Sequence, residues 1–135
     1  MAAFVITNPV IVVNGTDLSD HVTSVSLDDS VADIDTTNFA SGGNHTRTGG
    51  LKDGSITIDF QNDFAAGSVD AVIWGARGTT VTVTVKATSA ATSATNPQDS
   101  GSFLVNQYKL GGKVGDLSTT SVTWPRSGAL TRATS

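Results

Sequence analysis

Two segments of the chain alternate strictly between apolar and polar residues, Ser55–Gln61 and Thr80–Lys86. The apolar positions are Ile56, Ile58 and Phe60 in the first segment and Val81, Val83 and Val85 in the second. A period of two places the apolar side chains of a strand on one face and the polar side chains on the other. The pattern therefore predicts strands of a sheet that is packed on one face and solvated on the other.

The same pattern and the turn residues between its runs predict a mainly β chain with one flanking helix. The predicted strands are Val10–Val13, Val22–Asp28, Gly54–Asn62, Thr79–Thr88, Ser102–Leu110 and Thr119–Trp124, with one more short strand possible in the tail after Gly128. The helix is predicted within Phe64–Gly75, at about residues 66–75, because Val69, Val72 and Ile73 follow helical spacing. Ser68 is placed to cap it, and Asp70 suits the first turn.

Residues 29–50 differ from the rest of the chain, because Asp, Thr, Ser, Asn and Gly dominate them. We expect either a long protruding loop or a hairpin, with Val31, Ile34 and Phe39 as its apolar anchors. A loop of this length in a compact domain is usually either functional or disordered. Alone, the segment has too few apolar residues to offset its ordering entropy, so we predict that it contacts another subunit.

Length and composition predict one globular domain, residues 1–135, with a net charge of −4. All acidic residues are aspartates, which suit turns and strand ends, and this choice agrees with a mainly β fold. The acidic balance argues against tight nucleic-acid binding, which needs Lys and Arg, but not against a passage through which DNA slides. With no cysteine and no apolar run near the roughly 20 residues that span a bilayer, neither disulfides nor a membrane segment is expected.

The sequence holds little that indicates catalysis, and we expect no enzyme activity, no cofactor and no metal. His21 and His45 have no second ligand at a typical metal spacing, and the aspartates of residues 28–35 lack the calcium-loop pattern. No nucleophile elbow or phosphate-binding glycine motif occurs. The aromatic residues available for a carbohydrate-binding face are Tyr108 and Trp124.

Several segments resemble the major tail tube protein of long-tailed, siphovirus-type bacteriophages, in the short form found in phages of actinobacteria. The segments are Gly50–Phe60, Asn62–Asp70, Ser93–Pro97, Val114–Pro125 and Ser127–Arg132, so the likeness extends over most of the chain. The resemblance implies a β-sandwich or half-barrel with one flanking helix. It also implies subunits that form rings, usually sixfold, whose sheets join into a wide barrel and whose stacking makes a tube for DNA.

The resulting hypothesis is a virion structural protein of the phage tail, made in the cytoplasm of the bacterial host. Its expected partners are copies of itself, tail-tip, tape-measure and tail-terminator proteins, and DNA as passing cargo. The residues expected to face the lumen are Ser24, Ser26, Asp28, Ser55, Thr57 and Asp59, with Thr80, Thr82 and Thr84 or Thr119, Ser121 and Thr123 beside them. The residues expected in the intersubunit loop are Val31, Ile34, Phe39, His45 and Arg47. The alternatives are a tail-tip or head–tail joining ring protein of the same fold and a carbohydrate-binding β-sandwich module.

Overall fold

The chain folds into two antiparallel sheets and one α-helix in a computed structural model that describes residue 3 and residues 5–135. The strands are β1 (Val10–Val13), β2 (Thr16–Asp17), β3 (Val22–Asp35), β4 (Arg47–Gln61), β5 (Thr80–Lys86), β6 (Gln98–Leu104), β7 (Thr119–Pro125) and β8 (Thr131–Ala133). The helix α1 spans Val69–Ala76 and lies between β4 and β5 in the chain. One sheet has the order β2-β1-β5-β6-β8 and the other the order β3-β4-β7.

The core lies between the inward faces of the two sheets and is closed by the helix. The apolar positions of both alternating segments are inside it: Ile56, Ile58, Phe60, Val81 and Val83 are buried, and Val85 packs half-buried at its margin. Trp124 and Phe60 pack in the core with ring centroids 6.4 Å apart. The mainly β fold predicted from the alternation is therefore confirmed, and the two packed sheets agree with the β-sandwich that the resemblance implies.

The single predicted helix is present, but it begins at Val69 and ends at Ala76. Val69 and Ile73 are buried, which confirms that this stripe packs against the core. Ser68 occupies the N-cap position, yet its hydroxyl makes no capping bond to the helix backbone. The hydroxyl instead donates to Asp63 Oδ2 at 2.8 Å, so Asp63 positions the chain as it enters the helix.

Residues 29–50 lie mostly in regular strands, because β3 continues to Asp35 and β4 begins at Arg47. Of the two structures considered for this stretch, the hairpin forms, and its tip is a short 3₁₀ turn at Phe39–Ser41. The sequence did not indicate strands here because Asp, Gly and Asn are depleted in strands. Backbone pairing from Asp29↔Gly54 to Asp35↔Arg47 nevertheless continues the ladder.

The predicted limits of other strands also differ from the limits in the structure. The predicted strand Ser102–Leu110 is instead Gln98–Leu104, and the Val105 backbone still bonds to Gly78 and Thr79 just beyond its end. A turn at Asn14-Gly15 connects β1 and β2, with both residues at positive φ. The short strand considered in the tail is β8. The structure contains no described helix with the length and apolarity that a membrane crossing requires.

Candidate assembly surfaces

The six residues expected in the lumen lie together on the outer face of the three-stranded sheet. The register pairs Ser24 with Asp59, Ser26 with Thr57 and Asp28 with Ser55. On the other side of β4, Asp59 pairs with Ser121 and Thr57 with Thr123. We call this surface the hydroxyl face; it consists of Ser24, Ser26, Asp28, Ser55, Thr57, Asp59, Thr119, Ser121 and Thr123. The strands that form this face, β3, β4 and β7, are separate segments of the sequence, and their pairing in one sheet brings them together.

The hydroxyl face carries carboxylates but no Lys or Arg. Thr57 Oγ1 and Thr123 Oγ1 lie 3.1 Å apart in a hydrogen bond across the two strands. The alternative set of Thr80, Thr82 and Thr84 lies on β5 in the other sheet, so the structure separates it from the six. By strand alternation Lys86 lies on the same outer side as these threonines. The two solvated faces therefore differ in charge.

The long edge strand β3 is unpaired along one side. Within residues 5–135, β3 pairs with β4 alone, although it is 14 residues long. The opposite edge of this sheet, β7, is partly covered, because Thr123 donates its backbone N–H to Gln107 Oε1 at 3.0 Å. Exposed strand edges present unpaired N–H and C=O groups that readily pair with another chain. The edge of β3 is therefore a surface suited to association.

Beyond the sheet, β3 and β4 continue as a two-stranded hairpin that we call the arm, residues 30–53. The β4–β7 pairing ends at Ser55, so the arm strands pair only with each other. The arm exposes four large apolar side chains: Val31, Ile34, Phe39 and Leu51. Val31 and Ile34 are about half-exposed, and Phe39 is fully exposed. An isolated two-stranded hairpin is marginally stable in water, so this arm is suited to being covered by a partner.

The charged residues expected in the loop form ion pairs across the arm. Arg47 Nε lies 3.6 Å from Asp33 Oδ2, and His45 Nδ1 lies 3.4 Å from Asp35 Oδ2. Hydrogen bonds from the hydroxyl and the backbone N–H of Thr37 hold the pKa of Asp35 below its ordinary value. All these side chains are more than half exposed, so the pairs contribute little to stability and mainly fix local geometry.

A buried arginine anchors the base of the arm. The Arg126 side chain is only 2% exposed, and its Nη1 donates to Asp29 Oδ1 at 2.7 Å. Its Nε donates to the Gly128 carbonyl at 3.1 Å, and its backbone N–H donates to the Gly54 carbonyl at 2.9 Å. A Cβ atom at Gly54 would lie 2.3 Å from the Asp28 carbonyl oxygen, so only glycine fits at this crossing. These contacts fix the direction in which the arm leaves the sheet.

The outer end of the helix carries an aromatic and cationic cluster. Trp74 is 53% exposed and packs edge to face on Tyr108, with ring centroids 5.5 Å apart. The Arg77 guanidinium carbon lies 3.5 Å from the centroid of the Trp74 ring. The Tyr108 hydroxyl donates to Asp70 Oδ1, and this bond together with burial raises the pKa of Tyr108 to about 12. We call these residues and the surface around them the helix-end patch.

His21, Asp63 and Ser68 form a polar cluster where β3 begins and the helix starts. His21 Nε2 lies 2.7 Å from Asp63 Oδ2, which also accepts from the Ser68 hydroxyl. Hydrogen bonds from the Ala65 backbone N–H and from Ser68 hold the pKa of Asp63 below its ordinary value. The aspartate lies between the histidine and the serine, whereas a catalytic triad needs the histidine between them. The cluster therefore joins two elements without activating Ser68.

The residues proposed as carbohydrate platforms are not available as a pair. Trp124 is fully buried, and its indole N–H donates to the Gln107 carbonyl at 3.0 Å. Tyr108 is half-buried between Trp74 and Asp70. The alternative of a sugar-binding face formed by both rings is therefore not supported, because the period-two pattern of β7 turns Trp124 inward. Among residue 3 and residues 5–135, no group of three His, Asp, Glu or Cys residues is arranged to hold a metal ion.

Sequence reasoning missed two parts of these surfaces. Arg126 was not singled out, since its partner Asp29 is 97 residues away in the chain. Tyr108 and Trp74 were not linked, although they are in contact. A weak signal for Arg126 was its position directly after the apolar strand β7. An arginine that is buried at such a position is almost always paired, so a carboxylate partner could have been expected.

No protein-family model and no curated protein matches the sequence. The structure is similar to a chain in the virion of a native gene transfer agent (GTA) particle, with a TM-score of 0.67 and 14% identity over 84% of this chain and 85% of that chain. It is also similar to a chain in the tail of an empty GTA particle with C6 symmetry, with a TM-score of 0.64 and 15% identity over 84% of this chain and 82% of that one. At this identity the likeness establishes a shared fold, so the tail-tube-like fold implied by the resemblance is confirmed.

Proposed function

We propose that the protein is a virion structural protein that assembles into stacked rings and forms the tail tube through which DNA is ejected. The observation that carries this proposal is that two association surfaces occur together on one subunit. Within residues 5–135, the 14-residue strand β3 has one edge without a partner strand, and the arm projects from the same sheet. The fold is shared with a chain of a C6-symmetric tail structure. A closed ring needs two different surfaces on each subunit, and head-to-tail stacking needs two more. We propose six subunits per ring, with the edge of β3 as one of the ring-forming surfaces.

We propose that the hydroxyl face lines the lumen of this tube. DNA must pass without adhering, and inward Lys or Arg side chains would bind phosphates more strongly with each contact. The hydroxyl face has Asp28 and Asp59 and no cation, whereas the outer face of the other sheet carries Lys86. Carboxylates repel the phosphate backbone, and hydrated hydroxyls keep water between protein and DNA.

We propose that the arm is the intersubunit element that joins one ring to the next. Its exposed apolar residues lie on both of its faces: strand alternation and a register shift place Val31 on one side and Ile34 on the other. A surface of this kind is covered most completely when a partner contacts it from more than one side. His45 and Arg47 belong to the same element, through their pairs with Asp35 and Asp33.

The remaining parts of the proposal concern the setting of the protein. We propose that it acts in the phage virion after synthesis in the host cytoplasm, with no catalytic residue and no cofactor. Its partners there are the tail-tip, tape-measure and tail-terminator proteins at the ends and inside of the tube. The relation to the short form of actinobacterial phages stays a prediction. A tail-tip or joining ring protein of the same fold is the remaining alternative within this setting.

Electron microscopy of the purified protein tests the proposed function. We expect tubes of uniform width; single closed rings would favour a joining ring protein, and monomers at all concentrations would contradict the proposal. A matched variant replaces residues 37–45 with Asn-Gly, because Thr36 and Thr46 already pair across the tip, and Asn-Gly forms a two-residue hairpin turn. This variant should fold normally and no longer stack.

A further inference from the structure

We propose that Phe39, at the tip of the arm of one copy, inserts into the cavity beside Trp74 and Tyr108 of another copy. The inference rests on the proposed function, because it names the surface that receives the arm. The partner is thus a second copy of this chain, and the contact is one aromatic side chain seated against the helix-end patch.

The tip of the arm holds Phe39 in a fixed position. Asn38 Oδ1 accepts the Ala40 backbone N–H at 2.9 Å, and Ser41 Oγ accepts the Asn38 backbone N–H at 3.0 Å. These two bonds form a complete capping box around the 3₁₀ turn that contains Phe39. The ring is nevertheless fully exposed. A rigid turn that presents an aromatic side chain to solvent loses little entropy when that side chain becomes buried.

The helix-end patch offers a cavity of suitable size and chemistry. The cavity has a volume of about 360 Å³ and is lined by Trp74, Arg77, Gly78, Val105, Asn106, Gln107 and Tyr108. An apolar cavity of about 150 Å³ already accommodates benzene, so a phenyl ring fits here. Trp74 and Tyr108 supply ring faces and edges for aromatic contacts, which stabilise by about 0.5–1.5 kcal/mol beyond burial. Exposed aromatics beside a pocket are typical of energetically dominant interface residues.

Charge also favours this pairing. Arg77 stacks on Trp74 and has no carboxylate within ion-pair distance in the part of the chain that the structure describes. The strand that leads to Phe39 carries Asp33 and Asp35. Their pairs with Arg47 and His45 are long, at 3.6 and 3.4 Å, and more than half exposed, so both carboxylates are accessible to a second cation. A second apolar cavity, beside Val25, Leu27 and Val85, fits less well, because its lining has no aromatic side chain and includes the carboxylate of Asp99.

Crosslinking tests the contact directly, because the chain has no cysteine of its own. Ala40→Cys and Asn106→Cys are made in separate chains, mixed, assembled and treated with a short thiol-reactive crosslinker. Ala40 is next to Phe39 and Asn106 lines the cavity, so both anchoring aromatics are retained. We expect a covalent heterodimer in tubes. The control combines Ala40→Cys with Thr82→Cys. Thr82 lies on the outer face of the five-stranded sheet and does not line the cavity, so this combination should give no crosslinked dimer.

Side-chain truncation provides a second measurement. Phe39→Ala and Trp74→Ala should each raise the concentration at which tubes appear by about ten- to thirtyfold, as expected for dominant interface residues. The double variant should be no worse than the stronger single one, because both remove the same contact. Phe64→Ala is the control, since Phe64 is also exposed but lies outside the arm and the cavity. Melting curves confirm that each variant is folded.

The outcomes separate this inference from the proposed function. If tubes form without the Ala40–Asn106 crosslink, or if they form equally well with both truncations, the inferred contact is wrong and the proposed tail-tube function still holds. A protein that forms neither rings nor tubes overturns both. Tubes that crosslink at Asn106 and not at Thr82 support the contact.

Discussion

Single residues in this protein fix contacts between elements that are distant in the chain. Tyr108 follows β6, and its hydroxyl donates to Asp70 on the helix, 38 residues away. The hydrogen bond to this carboxylate, and then burial, favour the neutral phenol and raise the pKa of Tyr108 to about 12. Because the folded pKa exceeds the unfolded pKa of about 10, the bond stabilises the fold fully below pH 10. This contribution is lost as the pH rises from about 10 to about 12.

We predict that Tyr108 ionises late in an alkaline titration. The chain has one tyrosine, so phenolate absorbance reports Tyr108 alone. The midpoint should lie near 12 in the folded protein and fall toward 10 in Asp70→Asn, which lacks the charged acceptor. Circular dichroism at each pH identifies the range in which the protein is folded. A midpoint near 10 in the folded wild type would show that the Tyr108–Asp70 bond is absent.

At the scale of elements, the arm depends on its base. Beyond Ser55 no third strand supports the arm, so the contacts of Arg126 with Asp29 and Gly54 are the ones that hold its base against the rest of the subunit. Arg126 joins this base to the turn at Gly128, which follows β7. The orientation of the arm is therefore determined by the ion pair of a buried arginine with a half-exposed aspartate and by one close backbone crossing.

Replacement of Arg126 by Met should loosen the arm while the sheets remain folded. Loss of hydrogen bonds to a charged group lowers stability by roughly 1.5–3 kcal/mol. Part of this loss should destabilise the arm locally without unfolding the sheets. Hydrogen exchange of the amides in residues 30–35 and 47–53 should become faster than in the wild type. Arg132→Met is the matched control, because Arg132 pairs with Asp99 but is 63% exposed and lies outside the arm. Equal exchange in the two variants would contradict the anchoring role.

The helix gives a second prediction at this scale. Ile73 is 1% exposed, so Ile73→Ala should lower the free energy of unfolding by about 2–5 kcal/mol through lost burial and a cavity. Val72→Ala should cost less, because Val72 is only half-buried. Chemical denaturation measures both. Equal small losses would mean that the helix does not pack through Ile73.

The sequence predicted the faces of the sheets better than the length of the strands. Alternation is a local property, so Ile56 and Val81 were placed correctly without knowledge of their partners. The arm was harder to predict, since a register shift near Ala32 interrupts the alternation and the strands there are rich in Asp and Gly. Contacts such as Arg126–Asp29 depend on the folded chain and leave no periodic trace. The lumen and arm assignments are predictions about an assembly, so one subunit does not test them.

For the whole molecule, the charge of the hydroxyl face predicts how DNA moves through a tube. Asp59 lies on the central strand of that face, between Ser24 and Ser121. In an infectious phage, Asp59→Lys should permit assembly but slow DNA ejection and make it more dependent on salt, because the lysine attracts phosphates. Thr82→Lys, on the outer face of the other sheet, should leave ejection unchanged. Normal ejection by the Asp59→Lys phage would remove the lumen assignment.

A helical reconstruction of the tube by cryo-electron microscopy tests the central claim most directly. It locates both sheets of each subunit relative to the tube axis. We predict six subunits per ring, with Ser26, Thr57 and Thr123 lining the channel and the arm of each subunit in contact with the adjacent ring. A tube whose channel is lined by Thr80, Thr82 and Thr84 instead, or whose arms contact no neighbouring subunit, would contradict the account.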